Sequence, residues 1–566
     1  MKRFYTLLLV SFVAINPFTK FRNTGYIPLF PSGPVAFCGN LRFALPDSLQ
    51  PPAKLLSGMG NLNHPISTKS ELSQKFFNQG LSLIYGFNHN EAIRSFKQAI
   101  SNDSTCAMAY WGIAYAWGPN INMPMTEANE KTAYQAIQKA KSLVPTVSKK
   151  DAEFINALSL RYSDGKKGSR KDLDSLYIRA MKNLASNYPD DADAQTLYAD
   201  ALMNTFPWQY WEASGKLKPK AEEVYQVLTL ALKDNPDHVG ANHLMIHLVE
   251  GSNDLTAGLQ SARVLASLMP GAGHIVHMPS HIYIRTGMFV EAEKSNVDAV
   301  KIDEAMYGNM PDGMYSMYYS HNIHFLTFTA NMLGQSNASL NNATKIAGKI
   351  DKRQLGENVF MQEMSLVPMY SMVRFGKWNQ VLEQPDPGNE YPYMQAIWHF
   401  ARGMANTRQG KFSAAATDLK KLDSLRKLDT LKSMYASLDP VSNTVTVATL
   451  VLKGQLSYAK GDVNEGIKTL MEGVKSEDQL IYNEPPTWPL PVREYLGVAL
   501  LKTKNYAAAE KVFREDLKRH PDNGWSLLGL QQSLTGQQKT SESQQLKKQF
   551  ENAWRNADVK IQAAVF

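Results

Sequence analysis

Small and apolar residues recur from Glu71 onward at spacings that fit pairs of packed helices. Gly80 and Leu83 are followed by Ala92 and Phe96, with polar residues between them. Positions three or four apart share one face of a helix, and small residues let two helices approach closely. The pattern therefore predicts pairs of helices joined by turns, each pair leaving an apolar face that the next one covers.

The same order of residue types returns along the chain. Further copies comprise Gly112, Tyr115, Ala133, Ile137, Ala140 and Pro145; Leu228, Ala231 and Pro236; Gly497, Leu500, Ala509, Phe513 and Pro521; and Trp525 with Gly529. This order resembles the tetratricopeptide repeat, which implies an all-α solenoid, a right-handed superhelix of helix–turn–helix units. Roughly eleven or twelve units fit, which leaves no room for a separate catalytic domain. We also expect Gly497 and Ala509 to face one another within a unit.

The chain before the repeats divides into two predicted segments. Residues 1–25 are predicted to be a signal peptide, because Lys2 and Arg3 precede a short apolar run that is well below the about 20 residues of a membrane-spanning helix. The alternative is an N-terminal strand. Residues 26–70, rich in Pro, Gly, Ser and Asn, are predicted to be a linker or arm, and residues 71–556 the solenoid.

These segments predict an exported protein, periplasmic or secreted, without a transmembrane segment. Lipid anchoring at Cys38 is not expected, because bulky Phe37 precedes the cysteine. Apolar residues make up 44% and charged residues 20% of the chain, as in ordinary soluble proteins. The net charge of +8 is spread thinly, so we predict no nucleic-acid partner.

Seven of the twelve histidines are concentrated in the central repeats, residues 239–350. They are spaced three or four apart in three groups: His243 and His247; His274, His277 and His281; His321 and His324. In the predicted repeat register, with units starting near Val239 and Gly273, they lie off the packing stripe of each first helix. The resemblance to tetratricopeptide repeats implies that this other face lines a concave groove.

Clustered imidazoles are typical ligands of Zn, Cu, Fe or Ni. We expect His243, His247, His277, His281 and one of His321 or His324 to share a single ion, with Glu250 as a direct or supporting ligand. Nearby Met278 and Met317 shift the balance slightly towards copper. The helix carrying His243 and His247 lacks the glutamate of zinc proteases, which argues against that chemistry.

Several alternatives stay open from the sequence. The groove could be metal-free and hold a peptide or protein partner, the histidines could form a structural hydrogen-bond network, or the site could be a metal-dependent enzyme of unspecified reaction. Trp208 and Trp211 are candidate ligand contacts in an aromatic lid, and Tyr283, Arg285 and Tyr319 are candidates beside the cluster. The five other histidines are predicted to be structural: His64, His89, His238, His399 and His520.

Five local motifs resemble a bacterial family of tetratricopeptide proteins with histidine-rich central repeats. They run from Asn242 to Glu250, from Gly273 to Tyr283, from His321 to Phe325, from Glu484 to Arg493 and from Arg514 to Leu527. The resemblance implies the repeat fold and the groove, and it supplies no reaction.

Overall fold

A computed structural model describes residues 52–566 except 166, 167, 213, 309–313, 351, 357 and 437. The predicted signal peptide, Cys38 and residues 26–51 of the predicted arm lie outside the described residues. The described chain is a succession of α-helices in which neighbours along the sequence pack as pairs. Within the described residues, strand structure is limited to a two-residue hairpin, β1 Tyr435–Ala436 with β2 Asp439–Pro440.

The helices before the central repeats are α1 Glu71–Tyr85, α2 His89–Asn102, α3 Ala107–Ala116, α4 Glu127–Ser142, α5 Lys149–Ser159, α6 Arg170–Asn187, α7 Ala192–Met203 and α8 Pro219–Asp234. The central helices are α9 Val239–Val249, α10 Thr256–Leu268, α11 Gly273–His277, α12 Pro279–Arg285, α13 Phe289–Tyr307, α14 Met314–Met332 and α15 Ser336–Ala347.

The later helices are α16 Val359–Arg374, α17 Trp378–Glu383, α18 Pro392–Arg408, α19 Phe412–Arg426, α20 Asp429–Ser433, α21 Val441–Ala459, α22 Val463–Glu477, α23 Val492–Lys502, α24 Tyr506–Arg519, α25 Gly524–Gly536 and α26 Thr540–Ala553. Short 3-10 turns occupy Val144–Thr146 and Lys352–Gln354. None of these described helices combines the length and apolar character that crossing a membrane requires.

One packing arrangement recurs near both ends of the array and confirms the repeat. A Cβ on Gly80 or on Gly112 would lie 2.5 Å from the ring of Phe96, so both glycines make room for that ring. At the other end Gly497 and Gly529 leave the same space for Phe513, where the added Cβ would lie 2.3 and 2.2 Å away. The chain is therefore an all-α repeat solenoid of the tetratricopeptide type.

This arrangement corrects one expected contact and leaves another expectation open. Gly497 faces the ring of Phe513, which lies one turn beyond Ala509. The large ring occupies the space that a side chain at position 497 would take, whereas the small side chain of buried Ala509 does not require it. The right-handed sense of the superhelix stays a prediction.

The central repeats follow the predicted register in two units and depart from it in the third. α9 begins at Val239 and α11 at Gly273, as the spacing predicts. Met278 separates α11 from α12, because Pro279 has no N–H to continue the helical hydrogen bonds. If Gly334 ended the first helix of the third unit as Gly287 ends that of the second, this helix would begin near Ser320. α14 begins earlier, at Met314.

The C-terminal repeats fold back onto the central ones. Arg374 of α16 and Glu494 of α23 form an ion pair whose side chains are 2% and 0% exposed. The Trp525 indole donates a hydrogen bond to the Asn331 carbonyl of α14. The loop between α22 and α23, residues 478–491, is thereby brought against the central helices, where its residue Glu484 contacts His281.

The described part of the predicted arm, residues 52–70, contains no helix and packs on the first repeats. Gly271 donates a backbone hydrogen bond to Gly58, and the Ser67 N–H donates one to the Asp151 carboxylate. His64 reaches Asp193 of α7 at 2.7 Å. These contacts attach the arm to helices from several units.

Candidate metal centre

The histidines of the three central units meet in one pocket. α9, α11–α12 and α14 are the first helices of consecutive pairs, and residues on one face of each point to the same space. Six of the seven predicted histidines form two groups with no shared member, and in each group three potential ligand atoms lie within 4.8 Å of one another: His243, His247 and His274; His277, His281 and His321. We call these the first and the second triad.

In the first triad, hydrogen bonds fix which nitrogen of each ring faces the others. His243 Nδ1 donates to the Tyr85 carbonyl, 2.6 Å away, so its Nε2 carries a lone pair. That Nε2 lies 3.2 Å from His274 Nε2. Two nitrogens on one tetrahedral ion at about 2.0–2.1 Å are separated by about 3.3 Å, so this pair has the spacing of metal ligands.

The third member, His247, has its Nδ1 3.1 Å from Glu250 Oε1. Its other nitrogen, Nε2, is buried and makes no hydrogen bond within the described part of the chain. A buried ring nitrogen without a partner is costly, and a metal ion is a partner that would satisfy it.

The second triad repeats this design with a side-chain amide in place of a backbone carbonyl. Asn296 Nδ2 donates to the Ala292 carbonyl, so Asn296 Oδ1 accepts from His277 Nδ1 at 2.6 Å. The His277 Nε2 lone pair then faces His281 Nε2 at 2.8 Å. His321 completes the triad with its ring centroid 4.9 Å from that of His277.

Two carboxylates lie against these rings. Glu250, fully buried, bridges the triads, because Oε1 contacts His247 Nδ1 and Oε2 lies 2.6 Å from His281 Nδ1. Glu484 comes from the loop before α23, and its Oε2 lies 2.8 Å from the same His281 nitrogen. A carboxylate on Nδ1 orients a ring and makes its Nε2 a better metal ligand.

Burial keeps most of these imidazoles neutral, the state in which they bind metal. It lowers the pKa of His243, His247, His274, His277 and His321, and the neighbouring rings add to the effect. Each ring therefore presents a lone pair without having to lose a proton at neutral pH.

His281 behaves in the opposite way because of its two carboxylates. Burial disfavours a charged ring there, yet Glu250 and Glu484 outweigh burial and raise the pKa of His281 to about 10. Burial also disfavours ionised Glu250, but His281 and His247 outweigh it and lower its pKa. Burial raises the pKa of Glu484. The protonated His281 ring is thus a cation that lies between two carboxylates.

The triads open onto a cavity with about 680 Å³ of empty volume, part of which is open solvent. Both triads contribute to its wall, together with Glu250 and Glu484, and most of the remaining lining is aromatic, aliphatic or amide: Asn122, Trp208, Met317, Tyr318, Phe360, Leu438, Tyr482 and Asn483. A small molecule in this cavity would contact both triads.

Three predicted contact residues lie at the pocket or directly behind it. The Trp208 ring meets His247 edge-on, with centroids 5.4 Å apart. Trp211 packs against Tyr482 of the loop that carries Glu484. Arg285 donates to the Glu250 carbonyl and lies over the Tyr482 ring, so it holds the carboxylate-bearing segments together.

Three other predicted residues point elsewhere. Tyr283 donates to the Ala262 carbonyl, and Tyr319 donates to Glu304 beside Lys345. His324, one turn beyond His321, faces an adjoining cavity with Glu363, and burial lowers the pKa of His324 to about 4. The sequence places these residues near the cluster, but the rotation of their helices directs them away from it.

The single site expected from the sequence is also revised. His274 joins His243 and His247, while His277 joins His281, because residues one turn apart on α11 face different neighbouring helices. Sequence reasoning missed the pocket roles of Glu484, Phe87 and Asn296. For Glu484 a signal existed, since its motif was part of the family resemblance, whereas Phe87, which stacks on His247, and Asn296 lie in ordinary helical-repeat sequence.

The histidines predicted to be structural have other partners. His64 and His238 both contact Asp193, His89 Nδ1 donates to the Ala116 carbonyl, and His399 contacts Asp418. His64, Asp191 and Asp193 also lie close enough to hold an ion. Their carboxylates, however, are already engaged by Lys150, by His238 and by the N-terminus of α7.

The chain matches no protein-family model, and a search of curated proteins found no match. Among solved structures it is similar to the human IFIT1 dimer with m7Gppp-AAAA, at 12% identity over 86% of this chain and 91% of that one, with a TM-score of 0.30. It is similar to the Cut9 and Hcn1 assembly of the APC/C at 14% identity over 87% and 76%, with a TM-score of 0.28. Yeast Tom70 matches at 12% identity over 85% and 92%, with a TM-score of 0.26. At these values the fold assignment rests on the helix pairs of the chain itself.

Proposed function

We propose that this protein is an exported tetratricopeptide-type solenoid that binds a first-row transition metal, Zn, Cu or Fe, in its central histidine pocket. The observation that carries the proposal is the convergence of six imidazoles in two triads, four of which line one cavity together with two carboxylates. A purely structural network would pair each buried nitrogen with a donor or acceptor. Here His247 Nε2 lacks such a partner among the described residues.

Elemental analysis of untagged protein tests the proposal. We expect at least one Zn, Cu or Fe per chain after purification or after incubation with the ion and removal of the excess. A His243→Ala, His277→Ala double variant removes one ligand from each triad and should lose most of this metal. His89→Ala, a buried histidine outside the pocket, is the matched control. Wild-type protein that takes up no metal would contradict the proposal.

A second candidate is a metal-dependent enzyme, favoured by the cavity beside the triads. Both triads and Glu484 line this cavity, so a small molecule that entered it would contact all three. The metal-free alternative is a solenoid whose groove holds a peptide or protein partner. Binding measured with and without a metal chelator would separate these possibilities. A small molecule held by the metal should be released by the chelator, whereas a partner bound without metal should stay bound.

The remaining parts of the proposal concern origin and location. The family resemblance and the predicted signal peptide favour a bacterial protein that acts outside the cytoplasm, where exported proteins meet transition metals without cytosolic chelators. Mass spectrometry of the protein after expression of the full-length chain tests export. A mass that still includes residues 1–25 would contradict it.

A further inference from the structure

We propose that the pocket holds two transition-metal ions, one in each triad, with Glu250 as the positioning residue that both sites share. This proposal deepens the proposed function and rests on it. It identifies a two-ion centre that faces the cavity and adds Glu484, which lies on His281 Nδ1, as a second carboxylate that orients a ligand of the second ion.

The number of potential ligands is the first reason for two ions. A first-row ion in a histidine site takes about four to six ligands, and structural zinc takes about four. Six imidazoles and two carboxylates exceed that number. Because the two triads share no residue, a single ion held by one triad would use none of the ligands of the other.

The directions of the lone pairs are the second reason. In each triad, one ring is held by a neutral carbonyl oxygen on its Nδ1: the Tyr85 carbonyl for His243 and the Asn296 amide for His277. Each of these rings aims Nε2 at an Nε2 of its own triad, at 3.2 Å and 2.8 Å. The first distance is close to the about 3.3 Å between two ligands of a tetrahedral ion, and the second is that of a hydrogen bond between the rings, which an ion would replace. The two short ring contacts thus lie inside the triads.

The position of Glu250 is the third reason. Its two oxygens divide between the triads, one on His247 and one on His281, and so hold the Nδ1 side of one ring in each. This leaves Glu250 as a support that orients a ligand of each ion. Glu484 contacts only the second triad, and its oxygen belongs to a group of close potential ligands with His281 and Glu250.

The two sites lie side by side at the cavity. The His247 and His281 ring centroids are 6.0 Å apart, and those of His274 and His277 are 6.1 Å apart. Two divalent ions with two carboxylates leave an excess of positive charge, which hydroxide or another small anion entering through the cavity would offset. The ions are therefore near enough to act on one bound molecule.

Titration of metal-free protein with Co²⁺ tests the proposal, because Co²⁺ in histidine sites has visible absorption bands that report the number of ions and their geometry. Wild type should bind two equivalents. His243→Gln and His277→Gln should each bind one, with different spectra, and Glu484→Gln should weaken only the second-triad step, by roughly 10–100-fold. Glu250→Gln should weaken both steps, and His89→Gln should change neither.

The outcomes separate this proposal from the proposed function. No bound metal would overturn both, while one equivalent in wild type would overturn the two-ion centre alone. Loss of both equivalents in each folded single variant would also overturn it, because the ligands would then serve one ion. Where a variant fails to fold by circular dichroism, electron paramagnetic resonance of wild type with Cu²⁺ decides: two ions this close give coupled spectra, and uncoupled spectra at full loading contradict the proposal.

Discussion

The roles of His243, His277 and His281 follow from what the Nδ1 atom of each ring contacts. A carbonyl oxygen there fixes a neutral ring with a free Nε2, as in His243 and His277, and these rings face other rings in the pocket. A carboxylate there can instead stabilise a cation, as in His281. The same residue type thus supplies both lone pairs and a stored proton within one pocket.

The depressed pKa values predict that the first triad keeps its metal in mildly acidic solution. A lowered pKa means that the ring stays neutral to lower pH, so protons compete with metal only well below the ordinary histidine value of about 6.5. Sequence alone leads us to expect loss of metal from about 6.5 downward. Metal content measured at pH 7 and pH 5.5 should be equal for His277→Gln, which keeps only the first triad. A steep loss at pH 5.5 would contradict this.

The second triad should behave differently, because the pKa of His281 is raised to about 10 by its two carboxylates. The ring then carries an extra proton at pH 7 that an ion must displace. Calorimetric titration of the second equivalent in two buffers of different ionisation enthalpy should therefore show release of about one proton. Equal heats in the two buffers would exclude this exchange.

At the scale of the element, shape complementarity between glycine and aromatic rings sets the helix pairs. Gly497→Ala would bring a methyl group within 2.3 Å of Phe513 at a helix crossing. We expect overpacking to cost about 1–3 kcal/mol of unfolding free energy. Denaturant unfolding measures it, with Gly356→Ala as control, since no atom lies within 4 Å of that position. Equal stability of the two variants would show that the helices can separate without cost.

The attachment of the arm to α7 and α9 depends on a single buried carboxylate. Burial opposes ionisation of Asp193, but hydrogen bonds from His238 and His64 outweigh it and lower the pKa of Asp193. The pKa of His64 is raised because the Asp193 contact outweighs the opposing effect of burial. The stabilisation from Asp193 is therefore present above about pH 4, and that from His64 is full below about pH 6.5 and lost as the pH rises through its folded pKa.

Asp193→Asn should consequently lower the free energy of unfolding by about 1–3 kcal/mol, with the larger loss at pH 6 and a smaller one at pH 9. Urea unfolding at both pH values measures the difference. His238→Gln is a companion variant that keeps the charge on Asp193 and should retain part of the pH dependence. An equal loss of unfolding free energy at both pH values would mean that the contact between Asp193 and protonated His64 does not contribute to stability.

At the scale of the whole molecule, the fold-back of the C-terminal repeats determines the pocket, because it delivers Glu484 to His281. The buried Arg374–Glu494 pair holds this contact, with Arg374 also over the Trp525 ring and Asn523 donating to Glu494. Glu494→Gln leaves the Arg374 charge buried without its counterion. We expect this to cost about 3–5 kcal/mol.

Thermal or denaturant unfolding measures that loss, and Asp429→Asn is the control. The Asp429–Lys432 pair lies on the surface with side chains 94% and 62% exposed, so its removal should leave the unfolding midpoint unchanged. A similar effect of both substitutions would mean that the fold-back does not depend on the buried pair.

The sequence by itself determined the helical repeat and the set of histidines that can form the pocket. Both depend on local spacing: Gly80, Phe96 and Gly112 recur at the intervals of packed helix pairs, and His243 with His247 share a face because helical geometry puts residues four apart together. These rules hold whatever the rest of the chain does.

The tertiary structure alone decided how those residues are grouped and what closes over them. The division into two triads depends on the rotation of α11 between α9 and α14, and the break at Met278 contributes to it. Glu484 reaches His281 because the C-terminal repeats pack against the central ones. Such contacts between distant segments come from the sum of small packing angles, which no local spacing in the sequence records.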